Sequence, residues 1–309
     1  GPKGLPIIGN LHKIELSNMH NQLENWAKEF GGIYKLDLGP SKLTVITDPE
    51  LNQEILKERP HLFRRMAKMD EVMKEVGVQG VFNAEGEEWK AHRRLVNKGL
   101  DVKHQQQFYP EIITSVERLY NKWNSFSINQ TPFDIQQDLL RFTVDVTTSL
   151  AFGYKMNTLE EEGGVIQEHL EKIFPMIFKR INAPIPFWRL YKTKEDKIFD
   201  NSVIEINKLI DEFIKKGKAK IAEHPVLKEN PSNFLESLLV AAEEEASLTD
   251  EDVRGNLLTI LMAGEDTTAH TLAWAIYLLA QHPEYQEKLY KEAFDVLGDK
   301  KWLENYKDH

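Results

Sequence analysis

The chain has 309 residues, 41% of them hydrophobic and 28% charged, with a formal net charge of −10. That balance fits one large globular body or two small ones, and it provides no bulk attraction to nucleic acid. The absence of cysteine excludes disulfides, catalytic thiolates and cysteine-bound metals within these residues. No run of about 18 uncharged apolar residues occurs, so no membrane segment is expected. The opening GPKGLPIIGN is a lead-in punctuated by proline and glycine, without a signal-peptide pattern. Met19–Phe30 has helical spacing through Leu23, Trp26, Ala27 and Phe30. Gly32–Gly39 with Lys42–Thr47 predicts a β-hairpin over 32–47. Asp48–Pro49 then opens a helix with an N-cap and a proline at its first position.

From Glu87 onward the pattern is helical almost throughout. Helices are predicted over Glu87–Gly99, Gln105–Phe126, Asp134–Phe152, Glu160–Asn182, Lys194–Glu223 and Pro231–Glu244. A long central helix is predicted over 249–281, capped by Thr249, and another over Pro283–Leu297. At 1.5 Å per residue the central helix is on the order of 50 Å long and crosses the whole protein. With no internal repeat, low-complexity tract or linker, residues 1–309 read as a single domain. It is mainly α, with a small N-terminal β-sheet.

The central helix poses a chemical question. Its apolar run LLTILM is interrupted by Ala263–Thr268, which reads AGEDTT. Glycine inside a helix costs about 1 kcal/mol relative to alanine, and the acids and hydroxyls add desolvation penalties. Thr267 lies four residues after Ala263, so its hydroxyl can bond the Ala263 carbonyl and bend the helix. Ala263 and Gly264 leave the backbone open to a flat ligand or a diatomic molecule. Asp266 and Thr267 place an acid beside a hydroxyl, as a proton relay requires. The competing explanation is a glycine used for helix packing, with polar neighbours in solvent.

A second cluster, Glu85–Arg94, puts Trp89 and Arg93 at i and i+4 on one helical face, with His92 beside them. An indole N–H and a guanidinium together suit a carboxylate or phosphate. An isolated pair of this kind more commonly packs its indole into the core. None of the ten histidines has metal-ligand spacing, and His270 reads as an i,i+4 partner of Asp266. Phosphate-binding glycine loops and serine-nucleophile elbows are absent. Ile173–Trp188, IFPMIFKRINAPIPFW, is rich in apolar and aromatic residues and can line a greasy cavity, although core plus a stiff loop is the default.

Together these features resemble the cytochrome P450 family of haem-thiolate monooxygenases. The resemblance rests on PKGLPIIGN, the early hairpin, GVFNAEGEEWKAHRRLVNKGL, and AGEDTT on a long helix followed by AWAIYLLAQHPEYQEKLYKE, all in family order. It implies that Trp89 and Arg93 bind a haem propionate. It also implies that Ala263 and Gly264 pack over the distal haem face, and that Asp266 and Thr267 deliver protons to dioxygen under activation. The substrate pocket is expected from Phe82, Phe174, Ile177, Phe178, Thr259, Met262 and Ala263. The implied reaction inserts one atom of O₂ into a small apolar substrate such as a fatty acid, steroid or terpenoid. Electrons are expected from a separate partner (a ferredoxin, flavodoxin or reductase), with Lys90, Arg94 and Lys98 as candidate contacts.

The chain departs from the family in one respect. It has neither the late F-x-x-G-x-R-x-C-x-G loop nor the E-x-x-R of a later helix; its one E-x-x-R, Glu251–Arg254, precedes AGEDTT. It resembles roughly the N-terminal two thirds of a member, truncated before the cysteine ligand, which is expected outside this chain. No metal ligand is therefore assigned within it. An uncovered apolar face on the central helix is the expected consequence. The alternatives are a cofactor-free helical binding or interaction protein that keeps the scaffold, and a peroxide-using relative. Retention of both Asp266 and Thr267 favours O₂ activation. A cytoplasmic location is expected from the lack of an anchor.

Overall fold

The computed structural model describes residues 1–39, 41–160, 165–183, 185–244, 248–303 and 306–308. It is mostly helical with one small two-stranded antiparallel sheet. The chain divides into two compact units, Gly1–Met66 with Ala183–Pro186, and Ala67–Asn182 with Phe187–His309. No linker in the sequence marks that division.

The first unit contains α1 (Met19–Phe30), β1 (Ile33–Leu38), β2 (Ser41–Ile46) and α2 (Pro49–Lys57). The strands pair from Ile33↔Ile46 to Leu38↔Ser41, which is the expected hairpin. Period-two alternation buries Tyr34 and Leu36. The Tyr34 hydroxyl donates to the Leu23 carbonyl at 2.8 Å and so ties α1 to the hairpin. Gly39 turns the chain at φ +70°, a left-handed conformation that glycine adopts without strain. Asp48 caps α2 by accepting from the Leu51 N–H at 2.8 Å.

The second unit is helical: α3 (Ala67–Glu75), α4 (Gly86–Gly99), α5 (Val102–Asn129), α6 (Ile135–Phe152), α7 (Val165–Asn182), α8 (Lys194–Glu223), α9 (Phe234–Glu244), α10 (Asp250–Gln281) and α11 (Pro283–Leu297). Thr193 and Thr249 open α8 and α10 with capping boxes, closed by Asp196 and Asp252. The sequence pattern missed α3, whose nine residues bury only Val72 and Met73. It also started α9 too early, at Pro231. There the Glu236 carboxylate accepts from the Ser232 N–H at 2.7 Å, while Asn233 Oδ1 accepts from the Glu236 N–H at 2.9 Å. This reciprocal cap fixes the first turn at Phe234. Part of the start predicted for α7, Glu161–Gly164, lies outside the described residues.

The interface of α10 with α6 builds the middle of this unit. Leu119, Leu139, Phe142, Leu159 and Ala269 form a buried cluster there, flanked by Trp123, Leu272 and Ile276. Val253, Leu257, Leu258, Leu261 and Met262 bury the first half of α10. Its second half differs, with Trp274, Tyr277 and Leu278 exposed, and α11 exposes Tyr290 and Phe294. Among the described residues no helix is long and apolar enough to cross a membrane.

Candidate functional site

Helix α10 runs unbroken through AGEDTT. Thr267 Oγ1 donates to the Ala263 carbonyl at 2.7 Å, the back-bond that the i−4 spacing implies. Thr271 repeats the arrangement on the Thr267 carbonyl, also at 2.7 Å. Ala263, Thr267, Thr268 and Thr271 are exposed, so the small side chains line an open stripe. With its proton on the Ala263 carbonyl, the Thr267 oxygen keeps its lone pairs free to accept from a ligand.

Asp266 is half-buried beside this stripe. His270 Nδ1 donates to the Asp266 backbone carbonyl at 2.6 Å and lies 3.5 Å from its carboxylate. The expected i,i+4 partnership exists, but its hydrogen bond goes to the main chain. On its other side, His270 Nε2 lies 2.8 Å from Gln136 Nε2 of α6.

Gly264 faces α6. A Cβ added there would lie 2.7 Å from Thr147 Oγ1 and 2.9 Å from Thr147 Cγ2. Its missing side chain therefore lets α10 and α6 approach, as in the packing explanation of the glycine. Threonine is β-branched and stiff at χ1, so it cannot swing away freely. Gly264→Ala is expected to destabilise the chain by about 1–3 kcal/mol despite alanine's better helix propensity. Urea unfolding measures this, and Thr147→Ala in the same chain should restore most of the loss. A Gly264→Ala variant as stable as the parent would remove the packing role.

Glu265 went unassigned in the sequence reading. It is 4% exposed, and its Oε2 has no hydrogen-bond partner. Burial, with the nearby Asp266 and Glu171 carboxylates, pushes its pKa up to about 8. The helical wheel carries the signal: Glu265 lies four residues after Leu261 and four before Ala269, on the face that packs inward.

On α4, Trp89 and Arg93 are exposed, and their side chains make no hydrogen bond or ion pair among the described residues. His92, between them in sequence, turns inward and is 2% exposed. Lys90 pairs with Glu87 at 2.7 Å and Lys98 with Glu244 at 2.6 Å, so each carries a local countercharge. Arg94, the third candidate contact, is also exposed. Of the expected pocket residues, Thr259, Met262 and Ile177 are buried, while Phe82 and Phe178 are exposed and Phe174 is intermediate. The Thr259 hydroxyl is used by the Gly255 carbonyl at 2.8 Å. Among the described residues, no group of histidine and acidic side chains can hold a metal ion.

Residues 1–308 match the family model of cytochrome P450. Protein LUTEIN DEFICIENT 5, chloroplastic, from Arabidopsis thaliana is 26% identical over 281 residues, covering 88% of this chain and 46% of that protein. Cytochrome P450 97B2, chloroplastic, from Glycine max is 26% identical over 293 residues, covering 89% and 50%. A bifunctional cytochrome P450/NADPH–P450 reductase from Gibberella moniliformis is 24% identical over 305 residues, covering 96% and 26%. The chain thus spans about half the length of the first two relatives. A crystal structure of cytochrome P450DA heme domain superposes with a TM-score of 0.79 at 20% identity, covering 99% of this chain and 65% of that one. At that identity the likeness carries the fold. With a family model spanning all but its last residue, the chain belongs to the cytochrome P450 family.

Proposed function

We propose that this chain is the distal-side portion of a haem-dependent monooxygenase that inserts one atom of O₂ into a small apolar substrate. Electrons come from a separate redox partner in this reading. The observation that carries it is the open stripe Ala263–Thr267–Thr271, with a back-bonded hydroxyl next to half-buried Asp266. Family membership supports the same reading.

The residues fit a flat, anionic group on one side. The stripe has no bulky side chain between Ala263 and Thr271 to keep such a group from the helix backbone. Arg93 and the Trp89 indole are accessible donors whose capacity no neighbour among the described residues uses, as a propionate site requires. A cysteine thiolate to hold the iron is not among these 309 residues, which contain no cysteine. When bound, haem supplies the oxidising power for oxygen insertion. The chain's own residues would anchor the carboxylates at Arg93 and Trp89, and relay protons by way of the Asp266 carboxylate and the Thr267 hydroxyl.

In the full-length protein, Arg93→Ala is expected to weaken haem retention about tenfold or more, the loss of one charge-assisted bond. Haem transfer to an acceptor protein measures it, and the absorbance of the reduced carbon-monoxide adduct reports thiolate ligation. A full-length protein that purifies and stays colourless with added haem would favour the cofactor-free scaffold instead.

A further inference from the structure

Three segments of the helical unit meet at one buried amide. Asn256 of α10 has no exposed surface. Its Oδ1 accepts from the Val81 backbone N–H at 3.0 Å, and its Nδ2 donates to the Asp252 carbonyl at 2.8 Å. Both partners are backbone groups of fixed polarity, so the amide has one orientation. Rotating it would set donor against donor at Val81 and acceptor against acceptor at Asp252.

The second Nδ2 hydrogen is directed at His92 Nδ1 of α4, 2.8 Å away. His92 Nδ1 must therefore accept, which puts the imidazole proton on Nε2. That nitrogen faces the Asp252 carboxylate at 3.7 Å. Oδ2 of Asp252 is already held by the Thr249 N–H and hydroxyl, both at 2.7 Å, so the acid is anchored. The junction has little room to shift. A Cβ on Gly80 would lie 2.7 Å from Asn256 Oδ1, and one on Gly255 would lie 2.0 Å from the Gln79 carbonyl oxygen.

An apolar side chain at 92 would fill the space, but it would leave an N–H of a fully buried amide without an acceptor. Histidine here does more than pack. We propose that His92 is a positioning residue: as the Nε2–H tautomer, locked by Asn256, it sets the rotation of α4 against α10 and hence the direction in which Trp89 and Arg93 point. Its consequence for haem rests on the function proposed above, whereas the lock itself does not.

Nitrogen-15 NMR of the imidazoles in this chain reads the tautomer directly, and His92 should be neutral with its proton on Nε2. Asn256→Asp puts an acceptor where the donor was, and should move a proton onto Nδ1. Backbone amide exchange across α4 should accelerate about tenfold or more in His92→Phe, and return toward the parent rate in His92→Gln, whose side-chain carbonyl can still accept. In the full-length protein titrated with hemin, His92→Phe should weaken binding about tenfold, and this loss should disappear when Arg93 is already alanine.

A parent His92 protonated on Nδ1, or α4 exchange rates indifferent to His92→Phe, overturns the lock. An equal loss of hemin affinity with and without Arg93 overturns the positioning role. If the parent takes up no hemin while the tautomer and exchange results hold, the haem reading fails and the lock stands.

Discussion

Replacing Glu265 with glutamine should make the stability of this chain far less sensitive to pH between about 4.5 and 8. The Glu265 carboxyl titrates near 8 in the folded chain, against an ordinary value of 4.5, chiefly because burial disfavours its charged form. Across that window the unfolded chain has released a proton that the folded chain retains. Folding stability therefore falls as pH rises through the window and levels off above 8. A raised carboxyl pKa thus contributes no penalty below 4.5 and its full penalty above 8. The total is on the order of 5 kcal/mol, with roughly 3 kcal/mol already present at pH 7. A buried glutamine carries its own desolvation cost, but that cost does not change with pH. The measurement is urea unfolding of parent and variant at pH 5, 7 and 9. The variant should gain on the parent by about 3–5 kcal/mol between pH 5 and pH 9. Parallel profiles would mean that Glu265 ionises like a surface acid and that its surroundings are wetter than its burial implies.

Much of this was legible in the order of residues. Lys194–Glu223 and Pro283–Leu297 have the bounds that apolar period and caps predict, because long amphipathic helices repeat their signal many times. Nine-residue α3 repeats it too few times to stand out. The Thr267 back-bond was legible because four-residue spacing is a local property of a helix. Glu265 was legible in angle, four residues from Leu261, yet the chemistry of its neighbours Asp266 and Thr267 drew the assignment away from it.

Contacts between distant segments left no comparable trace. His92 and Asn256 are 164 residues apart, and nothing local in either helix requires the pairing. Gly264 shows the same limit in another form. The sequence offered two uses for a glycine in a costly turn, access for a ligand or close packing of helices. Only the position of Thr147 on α6 shows that the vacant side-chain volume is directed at a helix. Open access belongs to Ala263 and Thr267, on the neighbouring side of the turn.

Thr267→Ala in the full-length protein should separate electron consumption from product formation. The hydroxyl is exposed on the open stripe, and its own proton is held by the Ala263 carbonyl at 2.7 Å. Its oxygen is thus poised to accept a hydrogen bond from a group in the stripe, while the adjacent Asp266 carboxylate lies half-buried at the edge of solvent. Thr267→Ala deletes no charged or indole donor and, besides the hydroxyl, only one exposed methyl group, so haem and substrate affinity should change little. Protons would then arrive without the group that orients them. The yield of oxygenated product per electron should drop, and the missing electrons should appear as hydrogen peroxide. Positioned proton donors of this kind are worth on the order of 10²–10⁴ in rate. Thr267→Ser keeps the hydroxyl and the back-bond, and should recover most of the yield. Asp266→Asn acts one step earlier: with the acid–base group of the relay gone, electron consumption itself should slow. The decisive quantities are product and peroxide per electron, compared across the three variants. If Thr267→Ala leaves product per electron unchanged, the hydroxyl serves only the helix backbone, and the polar turn is a packing feature of α10.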